Sequence, residues 1–366
     1  MEFNILQYVK WRGDLSFDVS PFNEVDALVL NMVSFLDYSE ELDRFPSTKV
    51  KTIEEFVNDH FSKRDIDKIN LGLIIPKEVV KLTHEVSLSN RYKDLLAGNF
   101  INVIDFSKAE QFSAMTYLLP NNQIYVSFRG TDDTLVGWGE DINMIASFPV
   151  PAQRDACKYL NKIASIYPNY KIIIGGHSKG ANLAIYAATY CRDDINNRII
   201  KVYAFDGPGF YQNRVNQKKF VLIKEKIDRI VPSSSIVGRI FDIDVEPHII
   251  KSNTTGLDQH NPFSWQITYE KFIVVSSFSE TSDKIKKEFV ALVSKMSEEE
   301  KKHFAEDINK YIYALNQNHL IEFVNLKNII SLFTNKYKMK HKNIRYLLKL
   351  YLVLQKNKAI KAKINK

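Results

Sequence analysis

Apolar residues along the chain follow a helical period first and a strand-like one later. Behind Asn23, a good N-cap residue, Val25, Leu28, Val29, Met32, Val33 and Leu36 recur at helix-face spacing and predict an amphipathic or largely buried helix. Helical spacing with interleaved charges runs from about Lys51 to Ala97 and gives way after Gly98-Asn99 to mixed apolar sequence. The period changes at Ser113. Residues 113–119 and 123–128 are apolar-rich runs joined by Pro120-Asn121-Asn122, which is a hairpin signal. A loop with Gly130, Gly137 and Gly139, a helical stretch over 154–166, the run 171–174 and an Ala-rich helix over about 181–191 follow in order. Two further β-branched runs lie at 199–205 and 227–231. Strands alternating with helices predict an α/β fold, with a mostly parallel sheet flanked by helices.

Beyond about Ser279 the strand signals stop. Ile285, Phe289, Leu292 and Met296 stripe one helix, and Ser297-Glu298-Glu299-Glu300 forms a capping box for a second that runs to about Asn316. Ile344, Leu347, Leu348, Tyr351 and Leu354 line a third. The expected division is therefore 1–279, with its N-terminal helical segment, and a basic helical region over 280–366.

Composition narrows the class. The 366 residues are 45% hydrophobic and 25% charged with 13 Gly and 11 Pro, which excludes collagen-like, low-complexity and wholly disordered chains. Cys157 and Cys191 form neither a disulfide framework nor a cluster of metal-ligand spacing, so no metal site is expected. No leader-like N-terminus and no apolar run of bilayer length is present, and a cytoplasmic protein is expected. The net charge of +7 is local: eleven Lys and Arg and no acidic residue fall within 335–366, and the remainder balances at 39 basic against 43 acidic residues. That distribution argues against nucleic acid as a partner of the body of the chain, and points to the tail as the place where an anionic membrane surface would be met.

One segment carries chemistry. Gly176-His177-Ser178-Lys179-Gly180 is G-x-S-x-G between a predicted strand and a predicted helix, the context of a nucleophile elbow. Small residues two before and two after the serine permit the tight turn, and the following helix directs its N–H groups toward a developing oxyanion. A serine needs a base and an orienting acid, in chain order Ser, Asp or Glu, His. Of the later histidines, His303, His319 and His341 lie in the helical region and His248 in an extended run, whereas His260 lies in the Gly/Asn/Pro-punctuated loop 256–263. His260 is the expected base. Asp206 ends the run 201–205 and opens Gly207-Pro208-Gly209, placing it at the carboxyl edge of the sheet as the leading acid, with Asp228, Asp242 and Asp244 as alternatives. The backbone N–H of Lys179 and the Gly130-Thr131 turn are the expected oxyanion donors, with Thr131 the second of the pair. This chemistry requires no cofactor.

Phe128-Arg129-Gly130-Thr131 followed by Trp138 and Asp141, together with the elbow at 174–180, resembles the class 3, fungal-type lipases. The chain is similar, more closely, to a bacterial family of lipase-like α/β-hydrolases of unknown function, through Trp11-Arg12-Gly13-Asp14-Leu15-Ser16-Phe17, Pro21-Phe22-Asn23-Glu24-Val25-Asp26, the block 205–210, Pro232-Ser233-Ser234-Ser235-Ile236-Val237-Gly238 and the block 259–265. The resemblance covers roughly 5–275 and implies the α/β-hydrolase fold and an ester or lipid substrate such as an acyl-glycerol. Two departures stand out. Lys179 replaces the usual Leu, where a cation would either favour an anionic head group or be solvated. Asp228 lies one position early in the D-x-V-P pattern and Arg229 takes its place, and an offset of one in an extended run turns the side chain to the other face. The expected activity is serine ester hydrolysis of the lipase or esterase kind. The rival is a catalytically weak hydrolase-fold binding protein that docks on anionic membrane through its basic C-terminal helices.

Overall fold

A computed structural model describes residues 3–314, apart from 73–74, 133 and 211–213. The third C-terminal helix expected over 344–354, the basic tail, His319 and His341 lie outside the described residues. Eight strands form one sheet in chain order: β1 (Val50–Thr52), β2 (Leu96–Asp105), β3 (Glu110–Leu119), β4 (Gln123–Phe128), β5 (Lys171–His177), β6 (Ile199–Phe205), β7 (Ile227–Pro232) and β8 (Pro247–Ile250). Pairing from β1 to β4 is antiparallel and from β4 to β8 parallel. Helices α1 (Ile5–Arg12), α2 (Glu24–Val33), α3 (Ile53–Ser62) and α4 (Glu78–Leu88) precede or interleave the antiparallel part. Helices α5 (Leu135–Ala146), α6 (Pro151–Ile166), α7 (Lys179–Tyr190), α8 (Asp193–Asn196) and α9 (Gln217–Lys224) belong to the parallel crossovers, and α10 (Glu280–Ser294) and α11 (Glu298–Ala314) close the described chain. This is the α/β-hydrolase arrangement, and it bears out the expected fold class.

Period-two alternation in the central strands sorts side chains between two cores. Ile173, Tyr203 and Phe205 face one core with α1 to α4, including Val25, Leu28 and Met32, while Ile172, Ile174, Val202 and Ala204 face the other with Ala156, Leu160, Leu183 and Ile223 of α6, α7 and α9. Both faces are thereby covered, as parallel strands require. The predicted helix behind Asn23 is α2, whose N-cap closes a reciprocal box: Asn23 Oδ1 accepts from Val25 and Asp26 N–H, and Asp26 Oδ2 accepts from Asn23 N–H. Ser297 and Glu300 cap α11 in the same way.

Two expectations fail. The loop expected to carry Gly130, Gly137 and Gly139 ends at Thr134, whose hydroxyl caps α5 by accepting from Gly137 N–H, and Gly137 and Gly139 are helical. The stretch from Lys51 to Ala97 is not helical throughout, because β1 opens it and β2 begins at Leu96. The strand is masked in the sequence by a register break between Gly98 and Ile101, where Asn99 takes a φ of 54° and interrupts the alternation. A Cβ on Gly98 would meet the Lys49 carbonyl at 2.7 Å, so a residue that reads as a stop signal is here a requirement of close strand approach.

Among the described residues no helix is long and apolar enough to cross a membrane. The same residues contain no group of three His, Cys, Asp or Glu side chains arranged to hold a metal.

Candidate active site

The carboxyl end of β5 runs into α7 through Ser178, which adopts φ 59° and ψ −130°. An L-residue is held there only by its surroundings. Here these include the pairing of Ser178 N–H with the Phe205 carbonyl at 2.9 Å and the contact of Gly176 with the Gly180 backbone, which is too close for any side chain. Gly130 lies against the same turn, where an added Cβ would stand 2.6 Å from the His177 carbonyl and 3.2 Å from Ser178 Cβ. The loop carrying Thr131 is thus brought beside the serine, and Lys179 N–H opens the first turn of α7 next to it. This juxtaposition suits two backbone donors converging on one oxygen.

Asp206 follows the last residue of β6 and is fully buried, with φ 44°. Its Oδ2 lies 2.7 Å from His260 Nδ1, and its Oδ1 accepts from Ser235 Oγ at 2.5 Å and from Gly238 N–H at 3.1 Å. With the proton on Nδ1 bonded to the carboxylate, Nε2 of His260 keeps the lone pair a base requires. His260 is only partly buried, its side chain 20% exposed. Its carbonyl accepts from His177 Nε2 at 3.0 Å, and the two rings lie 4.5 Å apart. Burial and the neighbouring His260 push the His177 imidazole well below its ordinary pKa, so it stays neutral and serves as a donor and packing surface. Buried Trp265 packs on His177 and donates to the Gln259 carbonyl at 2.7 Å, which fixes the 3₁₀ turn Gly256–His260.

The alternatives stand elsewhere. Asp228 pairs with Lys201 at 2.8 Å, Asp242 with Lys286 at 2.6 Å and Asp244 with Lys224 at 2.8 Å. His248 is exposed on β8, and His303 sits between Glu299 and Glu306 on α11. Arg229, in the position where the lipase pattern carries its acid, donates to the Gly238 carbonyl at 2.5 Å.

Neither expectation for the Lys179 side chain, an anionic head group or solvent, holds. Lys179 is 1% exposed, and its ammonium bonds Glu140 Oε2 at 3.0 Å, the Gln111 carbonyl at 2.9 Å and Gln111 Oε1 at 2.6 Å. Glu140 in turn accepts from Gln111 N–H at 3.1 Å and Ala152 N–H at 2.8 Å. A buried carboxylate supplied with three donors is what makes a buried lysine tolerable here. Thr131 Oγ1 donates to Asp141 Oδ2 at 2.7 Å, and burial pushes the Asp141 carboxyl up to about 6 against the opposing pull of Lys179. Ser235, Gly238 and Glu140 were not singled out from the sequence. The only signal for the first two was their place in the 232–238 block, and a buried Lys–Glu pair leaves no mark in hydropathy.

The Mbeg1-like family matches residues 86–310 of the chain. Among solved structures, M37 lipase is similar at 14% identity, covering 60% of this chain and 70% of its own, with a TM-score of 0.40. A mutant of MDLA from Penicillium cyclopium is similar at 14% identity over 68% of this chain and 84% of its own, with a TM-score of 0.36. Lip2 lipase from Yarrowia lipolytica is similar at 15% identity over 63% and 88%, with a TM-score of 0.32. No curated protein matches the chain. The family match runs from the end of α4 through the elbow, Asp206 and His260 into α11, more than half of the sequence, and by it the chain belongs to the Mbeg1-like family.

Proposed function

We propose that this protein is a serine hydrolase that cleaves carboxylic esters, with lipid or acyl-glycerol esters as the substrate class that the class 3 lipase resemblance implies. The observation that carries the reading is the bond between His260 Nδ1 and Asp206 Oδ2 beside a serine of strained backbone at a helix N-terminus. In this reading Ser178 Oγ attacks the ester carbonyl carbon as its proton passes to His260 Nε2. The carbonyl electrons move onto oxygen, which the N–H groups of Thr131 and Lys179 hold. Collapse of the tetrahedral intermediate breaks the carbon–alkoxy bond, and the alcohol leaves with the proton from His260. Water then repeats the sequence on the acyl-enzyme and releases the acid. Asp206 keeps His260 in the required tautomer throughout.

Turnover of p-nitrophenyl esters from C2 to C16 by the wild type and by Ser178→Ala tests the proposal. Hydrolysis that disappears in the variant, with an optimum in chain length, supports it. Equal hydrolysis by both proteins, or none by either, counts against it.

A further inference from the structure

The second oxygen of Asp206 leads away from His260 and toward the C-terminal helices. Ser235 Oγ has one proton and commits it to Asp206 Oδ1 at 2.5 Å, while accepting from Gly238 N–H at 3.0 Å. Where that hydroxyl sits is therefore decided by the backbone of residues 233–238. Arg229 Nη2 and Gln259 Oε1 hold this segment on the sheet side, through the Gly238 carbonyl at 2.5 Å and Ser234 N–H at 2.7 Å. On the opposite side the first turn of α10 holds it. Buried Ser282 Oγ donates to the Ser235 carbonyl at 2.6 Å, and Ser279 N–H donates to the Ser233 carbonyl at 2.8 Å. Arg239 Nη2 pairs with Asp283 at 2.7 Å and lays its guanidinium 3.7 Å over the Phe278 ring.

We propose that the first turn of α10 positions the acid of the triad: Ser282 fixes the Ser235 backbone, Ser235 fixes Asp206 Oδ1, and the carboxylate plane is thereby set so that Oδ2 meets His260 Nδ1. The inference rests on reading Ser178, His260 and Asp206 as a triad. A carboxylate bonded through one oxygen alone is free to turn about its Cβ–Cγ bond, and a misdirected acid leaves the imidazole without a fixed orientation. The Ser235 hydroxyl and the Gly238 N–H, both on the other oxygen, remove that freedom. Ser235 and Ser282 touch none of the reacting atoms and are positioning residues. Helix α10 thus acts on the hydrolase site through two consecutive hydrogen bonds.

The test uses the full chain with Ser235→Ala, Ser282→Ala and Ser235→Thr, assayed well below each melting temperature. It has two readouts: kcat and KM on a p-nitrophenyl ester, and the low-field proton resonance of His260 Nδ1–H. Loss of a hydrogen bond to a charged group predicts a kcat lower by about 10- to 100-fold in Ser235→Ala, and loss of a neutral one a drop of about three- to tenfold in Ser282→Ala. KM stays within about twofold in both, since neither residue meets substrate. The resonance shifts or broadens in both variants, and Ser235→Thr restores wild-type values. If Ser282→Ala does not fold, Asp283→Asn loosens the same turn at its partly exposed ion pair, and a smaller broadening is expected. Variants that melt earlier but keep kcat and the resonance of the wild type overturn the proposal. A wild type without Ser178-dependent turnover defeats the triad reading instead, and the resonance still decides whether α10 positions Asp206.

Discussion

His260 Nδ1 lies 2.7 Å from Asp206 Oδ2, whereas Asp228, the carboxylate nearer to the lipase sequence pattern, is turned away and bonded to Lys201. Residue parity explains the difference. Phe205 pairs with Ile230 across β6 and β7, and Asp206 continues that line at the sheet edge, with its N–H on the Ile230 carbonyl at 2.8 Å. Asp228 is level with Tyr203, three residues short of Asp206, and an odd offset in an extended run turns the side chain to the other face. Asp206→Asn is therefore expected to lower kcat by about 10⁴-fold, the size seen when the acid of a triad is neutralised and the imidazole takes the wrong tautomer. Asp228→Asn is expected to stay within about twofold. Steady-state kinetics on one ester with both variants makes the comparison, and the reverse pattern would move the acid to β7.

The place of Asp206 was legible in the sequence because a strand, an Asp and a Gly-Pro-Gly turn in succession mark the carboxyl edge of a parallel sheet, and the turn at Ser178 was legible because its glycines sit at fixed offsets from the serine. The loop position of His260 was legible for a similar reason, since turn residues punctuate it on both sides. What the sequence hid are interactions between distant segments. Ser235 meets Asp206 across 29 positions and Lys179 meets Gln111 across 68, and no local period reports either. Strand β2 was hidden by its own irregularity at Gly98 and Asn99.

Lys179 is expected to matter for stability rather than for head-group choice. Lys179→Met leaves Glu140 charged in the interior and two Gln111 oxygens without their donor, a loss of about 3–5 kcal/mol. Urea unfolding should show it as a lower midpoint, and Lys179→Met combined with Glu140→Gln should recover part of it. Unchanged stability together with altered preference between neutral and anionic esters would contradict the buried-pair account.

Asp141 makes stability depend on pH in a definite direction. Burial raises its carboxyl from 3.8 to about 6, so the native state holds this proton more tightly than the unfolded chain does. The associated stabilisation is complete below pH about 4 and is lost as pH rises through about 6. Asp141→Asn keeps an acceptor for Thr131 and carries no charge. Its melting temperature relative to wild type should therefore rise between pH 4.5 and pH 7.5. A difference that is flat across this window would mean that Lys179 fully offsets the burial.

The family match begins at residue 86, yet the core does not. Val25, Leu28, Val29 and Met32 of α2 and Phe56 of α3 pack on the sheet in one cluster with Tyr125 and Phe205. Arg91 is locked to Asp26 by bonds of 2.5 and 2.8 Å and donates to the carbonyls of Leu15, Ser20 and Pro21. A chain starting at residue 86 exposes this apolar face and leaves the Arg91 guanidinium without its carboxylate. It should be insoluble or lack a cooperative thermal transition, while the chain described here unfolds cooperatively. A truncated chain with a sharp transition would show that the N-terminal helices are dispensable.

Activation of Ser178 by its neighbours is read out by a fluorophosphonate probe with intact-mass detection. One adduct is expected on the wild type, none on Ser178→Ala, and labelling at least about 100-fold slower on His260→Ala, while Asp228→Asn labels at the wild-type rate. Labelling that persists in Ser178→Ala, or a wild type that takes up no probe, would contradict it.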